Sequence, residues 1–252
     1  MAEEHETIIS VTGLTLAYDD EVVLEDISFD VLKGDVFVIL GGSGCGKSTL
    51  LKHMIGLHKP TSGKILIEGV DIVTAAGKER KMLLGKFGVM YQSGALFGSM
   101  TVLENLNLVL EELTKVPAEM MDIISTGKLK LVGLEDAGDK MPDELSGGMK
   151  KRAAIARAMV LDPDIVFLDE PSAGLDPVTS AQLDELIVRL SKTLGVTFVV
   201  VTHELASINA IADHVVMLDK DKKSIIAAGL PDDLRNNSSD PFVRQFFNPR
   251  KK

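Results

Sequence analysis

The stretch GGSGCGKST, Gly41 to Thr49, fits the spacing G-x-x-x-x-G-K-[ST], with Gly41, Gly46, Lys47 and Ser48 in register. It follows a continuous apolar run, VFVIL (Val36 to Leu40), and opens a helical run, STLLKHMI. A buried strand, a glycine turn and a helix start in that order leave few folds open to the chain. The glycines let successive backbone N–H groups curl around phosphate oxygens, and the helix N-terminus adds partial positive charge. Lys47 is placed to reach the β- and γ-phosphates of a nucleotide, and the Ser48 hydroxyl to ligate Mg²⁺. Gly42, Ser43, Gly44, Cys45 and Thr49 complete the expected nucleotide loop.

The remaining pattern alternates short apolar strands with helical stretches, as in an α/β fold built on a largely parallel sheet. FGVMY (Phe87 to Tyr91), DIVFLD (Asp164 to Asp169) and TFVVVT (Thr197 to Thr202) read, like VFVIL, as strands buried on both faces. The segments TIISVTGLTLAY and VVLEDISFDV alternate instead, and Asp19-Asp20 between them predicts an antiparallel hairpin. Between Ser93 and about Leu161 the pattern turns helical. The expected organisation is a single domain over 1–252. Residues 1–34 are mainly antiparallel β, 35–92 and 162–228 form the parallel core, 93–161 are a helical insertion and 229–252 a C-terminal tail.

A phosphate loop needs an acidic partner on a neighbouring strand. DIVFLDEP supplies Asp169 to hold Mg²⁺ and, one residue on, Glu170 to polarise an attacking water. LSGGMKKR, starting at Leu145, supplies a second anion site: Ser146 as N-cap, with the open amides of Gly147 and Gly148 behind it. Lys150, Lys151 and Arg152 crowd that helix start, where the macrodipole disfavours cations. Either a bound polyphosphate neutralises them or they splay into solvent.

In combination these motifs resemble the nucleotide-binding subunits of ABC transporters, and the resemblance covers almost the whole chain. Its fold implication is an α/β P-loop NTPase (RecA-like) core with a parallel sheet, an N-terminal antiparallel β subdomain and an inserted helical subdomain. It also implies a head-to-tail homodimer with two ATP molecules, each held between one chain's phosphate loop and the other's Ser146-Gly147-Gly148. In the family pattern Tyr18 matches the aromatic that stacks on adenine. Gln92, in VMYQSGALF, matches the glutamine that touches Mg²⁺ and reports to the membrane subunit. Asp176 is the acidic member of SAGLDP, and His203, in VVVTHE, matches the histidine that contacts the γ-phosphate. Met149 stands where the family's signature has glutamine. LSGGMKKRAAIARA, DEPSAGLDP and the ending DPFVRQFF are similar to the ATPases of Mla- and Mce-type lipid transporters. That likeness implies lipid transport between bacterial membranes. Implied partners are an MlaE-like permease, with an MlaB-like STAS-domain subunit and an MlaD-like Mce-domain protein. The alternatives are an ABC ATPase serving a polar solute such as an amino acid, and a non-transport ABC protein. SGALFGSMTVLENL offers Leu96, Phe97, Met100 and Val102 as a docking groove for a coupling helix, or as part of the helical insertion's own core.

Composition narrows the setting. A net charge of −10 disfavours a nucleic-acid partner, and no apolar run is long enough to span a bilayer. The single cysteine, Cys45, excludes an internal disulfide. The expected location is the cytoplasmic face of a bacterial inner membrane, peripheral through the permease. The basic ending PRKK is either a lipid contact or a frayed terminus.

Overall fold

The continuous apolar runs are continuous because each strand faces two cores. Along β3 (Val36–Gly41), Val36, Val38 and Leu40 join one apolar cluster while Phe37 and Ile39 join another. Likewise β7 (Ile165–Asp169) and β8 (Thr197–Val201) send Val166, Leu168, Phe198 and Val200 to the first core. Their alternate residues Ile165, Phe167, Val199 and Val201 go to the second. The period of two in a pleated strand requires this division.

The computed structural model describes residues 6–18 and 21–248. The strands form a six-stranded sheet in the order β10-β9-β3-β8-β7-β6 and a four-stranded sheet in the order β2-β1-β4-β5. In the larger sheet β6 (Phe87–Met90), β7, β8, β3 and β9 (His214–Asp219) run parallel. The edge strand β10 (Ser224–Gly229) is antiparallel to β9. HVVMLD has the same uninterrupted apolar character as the other inner strands and fills the sheet beside β3.

The smaller sheet pairs β1 (Thr7–Tyr18) with β2 (Glu21–Leu32) antiparallel, as expected for the hairpin. The joining residues Asp19-Asp20 lie outside the described residues. The division at residue 34 is corrected by β4 (Ser62–Ile67) and β5 (Val70–Asp71). Both lie within 35–92, and β4 pairs with β1, so they extend the antiparallel sheet rather than the parallel core. Ile65 and Ile67 face the core shared with β1 and β3, which accounts for the pairing.

Helix α1 (Lys47–Met54) packs Leu50, Leu51 and Met54 into that second core, as does Leu83 of α2 (Gly77–Leu84). The insertion comprises α3 (Val102–Leu113), α4 (Ala118–Leu131) and α5 (Gly147–Ala158), all contributing to the first core. α3 begins with a complete capping box: Thr101 accepts from the Glu104 amide and Glu104 accepts from the Thr101 amide. α6 (Pro177–Leu194) and α7 (Leu205–Ile211) cover the same face. The segment read as a tail forms α8 (Pro231–Asn237) and α9 (Pro241–Phe247), whose Val243 and Phe247 are buried. The PRKK ending lies outside the described residues. Among the described residues no helix is long and apolar enough to cross a membrane.

Candidate nucleotide site

Four parallel strands end on one edge of the large sheet, where ligands of such folds bind. Gly41 closes β3, Tyr91 and Gln92 follow β6, Asp169 closes β7, and Thr202 and His203 follow β8. An open cleft of about 540 Å³ lies along this edge. Ser43, Gly44, Gly46, Lys47, Ser48, Thr49, Gln92, Glu170 and His203 line it, with Val23 from β2.

The phosphate loop is shaped before any ligand arrives. Gly41 has φ +152°, and a Cβ there would fall 2.5 Å from both Cys45 Sγ and the Leu218 carbonyl oxygen. Only glycine fits. Lys47 is buried, and its Nζ donates to the carbonyls of Gly41 at 2.9 Å and Gly42 at 3.1 Å. Helix α1 starts from Gly46 with no side-chain cap and no acidic residue in its first turn. Its free amides and the adjacent ammonium make a positive pole that suits a polyphosphate. Cys45, read as part of the loop, buries its side chain in the second core, which pushes the thiol pKa up and leaves only its backbone to the loop.

Ser48 Oγ donates to Asp169 Oδ1 at 3.1 Å. Burial pushes the Asp169 carboxyl up, the Ser48 hydroxyl opposes that shift, and neighbouring Glu170 adds to it. Among the described residues no three metal-ligating side chains cluster. One carboxylate and one hydroxyl, with Gln92 on the same cleft, still match how Mg²⁺ is usually held on a nucleotide. That ion takes one or two protein oxygens and completes its shell with phosphates and water.

Glu170 is the most constrained residue of the site. Its backbone has φ +49°, left-handed for a non-glycine residue, at a cost of about 1–2 kcal/mol. Its amide donates to the Val201 carbonyl at 2.8 Å, fixing the turn against β8. Glu170 Oε1 lies 2.7 Å from His203 Nδ1, whereas Oε2 is buried with no partner among the described residues. A strained backbone that presents an unpaired buried carboxylate oxygen suits a group that orients a water.

Ser146, Gly147 and Gly148 do not line this cleft. Ser146 caps α5, its Oγ accepting from the Met149 amide at 3.3 Å. Ser146 and Gly147 are exposed, and Met149 packs against the first core. The Ser146 corner, the second anion site expected from the sequence, therefore lies outside the cleft lined by the phosphate loop. Asp176 is the N-cap of α6: Oδ1 accepts from the Val178 and Thr179 amides, and Oδ2 from the Thr179 hydroxyl at 2.5 Å. These bonds hold its carboxyl below the usual range, the Thr179 hydroxyl contributing most. Tyr18 ends β1, and its side chain lies outside what is described.

The structure resolves the three cations of the α5 start. Arg152 donates to Gln182 Oε1 at 3.3 Å, Lys150 is half-buried, and Lys151 is buried against backbone carbonyls. Sequence reasoning missed three contributors. Val23 forms part of the cleft wall, and its only signal was an apolar residue on the alternating strand β2. Buried Asn105 accepts from the Phe97 amide and donates to the carbonyls of Phe97, Met100 and Thr101, organising the loop before α3. Ser172, in SAGLDP, is buried with its hydroxyl unpartnered. Of the expected docking groove, Val102 is fully buried and Leu96 packs against the core, while Phe97, 51% exposed, and half-buried Met100 reach the surface.

Comparison with known proteins places this geometry among relatives. A family model described as "ABC transporter" matches residues 24–173. The chain is 43% identical over 244 residues to the "Probable ribonucleotide transport ATP-binding protein mkl" of Mycobacterium leprae, covering 96% of this chain and 69% of that one. It is 39% identical over 247 residues to the "Intermembrane phospholipid transport system ATP-binding protein MlaF" of Escherichia coli K12, covering 98% and 91%. Among solved structures it resembles the dimeric post-hydrolysis state of the ATP-binding cassette MJ0796 bound to ADP and Pi. That match has TM-score 0.79 and 28% identity, over 88% of this chain and 98% of that one.

Proposed function

The chain belongs to the ABC transporter family of ATP-binding subunits, and from that premise we propose that it powers movement of phospholipid or a similar hydrophobic lipid between bacterial membranes. It is an ATPase that binds ATP and works as a dimer with membrane permease components. The lipid assignment is supported by the MlaF relative, nine-tenths of which this chain spans, and by the likeness of LSGGMKKR and DPFVRQFF to that group. The finer partners in this reading are an MlaE-like permease, an MlaB-like STAS-domain subunit and an MlaD-like Mce-domain protein. The chain sits on the cytoplasmic face of the inner membrane. A net charge of −10 is repelled by anionic headgroups, so attachment there goes through the permease. The relative named for ribonucleotide transport favours a second reading, a polar anionic cargo.

The observation that carries the ATPase chemistry is Glu170: strained, paired with His203 through one oxygen and unpaired at the other. In the proposed reaction Lys47 leaves the Gly41 and Gly42 carbonyls for the β- and γ-phosphates. The amides of Ser43 to Thr49 wrap the phosphate chain. Ser48, Asp169 and Gln92 would hold Mg²⁺, which would supply positive charge against the charge developing on the phosphates. Glu170 Oε2 accepts a hydrogen bond from the attacking water and aligns it with the γ-phosphorus. His203, tied to the same carboxylate, donates to the γ-phosphate. Ser146 and the amides of Gly147 and Gly148 close on that phosphate from the second subunit.

Glu170→Gln tests the chemistry. It keeps the shape and loses the charge, so ATP binding persists while turnover falls by about 10²–10⁴-fold and an ATP-bound dimer accumulates. Parent-like hydrolysis in this variant removes Glu170 from the reaction. Purifying the chain with its permease and identifying bound molecules by mass spectrometry tests the cargo. Phospholipid supports the main reading, and nucleotides without lipid support the other.

A further inference from the structure

One buried cation has no part in the chemistry above. Lys151 is 7% exposed and forms no ion pair with a carboxylate among the described residues. Its Nζ donates to two backbone carbonyls, that of Gln92 at 2.5 Å and that of Glu170 at 3.3 Å. Burial lowers the lysine's pKa, while the charges of Glu170, Asp169 and Glu204 oppose that shift. Burying an ammonium against neutral carbonyls is a poor way to gain stability, since an apolar side chain of similar length fills the same space without desolvation cost. What the lysine provides is a connection. It stands on α5, five residues after Ser146, and it holds the residues on either side of the γ-phosphate end of the cleft.

We propose that Lys151 is a positioning residue that ties together the two ATP half-sites carried by one chain. Gln92 and Glu170 belong to the chain's own phosphate loop side, and Ser146-Gly147-Gly148 serve the nucleotide of the second subunit. Helix α5 joins them rigidly: a shift of its N-terminus on the partner's phosphate moves Lys151 and, through it, the carbonyls flanking the water-polarising carboxylate. A second strap on the same helix leaves the loop itself in place. Arg157 donates to the carbonyls of Ala95 at 2.7 Å and Gly94 at 3.1 Å. Losing Lys151 therefore slackens the link at Gln92 and Glu170 without freeing the whole segment after β6. The inference rests on the site reading above, with Glu170 orienting water and the signature acting across the dimer.

The test is Lys151→Met, near-isosteric and without donors, compared with Lys151→Arg in the full chain. The ATP affinity of the Met variant, read by titration with a fluorescent ATP analogue, stays within about twofold of the parent, because Lys151 touches no part of the phosphate loop. Its kcat falls by about tenfold and its turnover loses sigmoidal dependence on ATP, the signature of lost coupling between sites. Lys151→Arg, which still reaches carbonyls, restores both. Parent-like kcat and sigmoidality in Lys151→Met overturn the proposal. So does an ATP affinity that falls in step with kcat, which is the mark of a merely structural role. Should the Met variant fail to fold, Lys151→Leu, also without donors, carries the same readouts. Glu170→Gln measured alongside separates the two levels: full turnover there overturns the site reading itself, whatever the Lys151 variants do.

Discussion

Single residues carry the parts of this molecule that sequence reading recovers best. Lys47, Ser48, Asp169 and Glu170 follow from the loop spacing and the strand end, whereas Gln92 and His203 come from the family resemblance alone. The structure brings all of them to one sheet edge. Lys47→Ala follows directly: an ammonium that already faces the loop is removed, nothing replaces its charge on the phosphates, and ATP turnover falls to background in a phosphate-release assay. The same logic gave no access to Asn105. Its amide serves four backbone groups of the loop 97–101, and nothing local distinguishes such an asparagine from a solvated one. Asn105→Leu leaves those buried groups unpaired at about 1–3 kcal/mol or more in total. A lower melting temperature with an intact nucleotide site is the expected result. Lys151 was equally opaque, because a cation beside a helix N-terminus looks solvated until the tertiary fold shows carbonyls around it.

At the scale of elements, periodicity identified the hairpin, the doubly buried strands and the insertion, but not how they meet. Strands β4 and β5 sit between core elements in sequence and join the other sheet in space, since pairing with β1 is a long-range choice that no local pattern encodes. Contact between α5 and β6 is equally hidden. A Cβ on Gly88 would lie 1.8 Å from the Ala158 carbonyl oxygen, so glycine at this point lets the helix carboxyl end touch the strand. Gly88→Ala must push α5 outward and is expected to cost about 1–3 kcal/mol, read as a drop of several degrees in thermal denaturation. The α6–α7 contact supplies a pH-dependent test. Asp184 of α6 lies in a cleft of about 600 Å³ with Glu185, Arg189 and Glu204. Its Oδ1 is buried and unpartnered, and burial pushes its carboxyl to about 6. The folded state thus binds a proton that the unfolded state has released, so stability falls as pH rises from about 4 through 6 and is level above. Asp184→Asn removes that loss. Its stability gain over the parent is near zero at pH 4 and reaches at most ~2 kcal/mol at pH 7, since water in the cleft screens the charge. Melting curves at successive pH values check the sign.

For the whole molecule, the governing observation is that the 41–49 loop and the Ser146 corner, the two elements proposed to hold phosphate, do not line one cleft. The phosphate loop and the Ser146 corner lie on different elements, the cleft is lined by the first alone, and Ser146 and Gly147 face outward. In the proposed head-to-tail pair, each chain's exposed corner has the other's nucleotide to bind. No charge beyond the nucleotide's is needed to favour closure, and two chains of net −10 are otherwise kept apart by their own repulsion. Binding of ATP and pairing of chains are therefore separable. Ser146→Arg, placed in a Glu170→Gln background to prevent turnover, isolates the second. A bulky cation replaces the small hydroxyl that caps α5, at the corner proposed to meet the partner's phosphate, while leaving the chain's own cleft untouched. The affinity of the single chain for ATP is expected to remain within about twofold of the Glu170→Gln parent, with the ATP-driven shift from monomer to dimer lost in size-exclusion chromatography. An equal loss of ATP affinity in the isolated chain places the Ser146 corner on its own nucleotide. A dimer that survives Ser146→Arg places it on none.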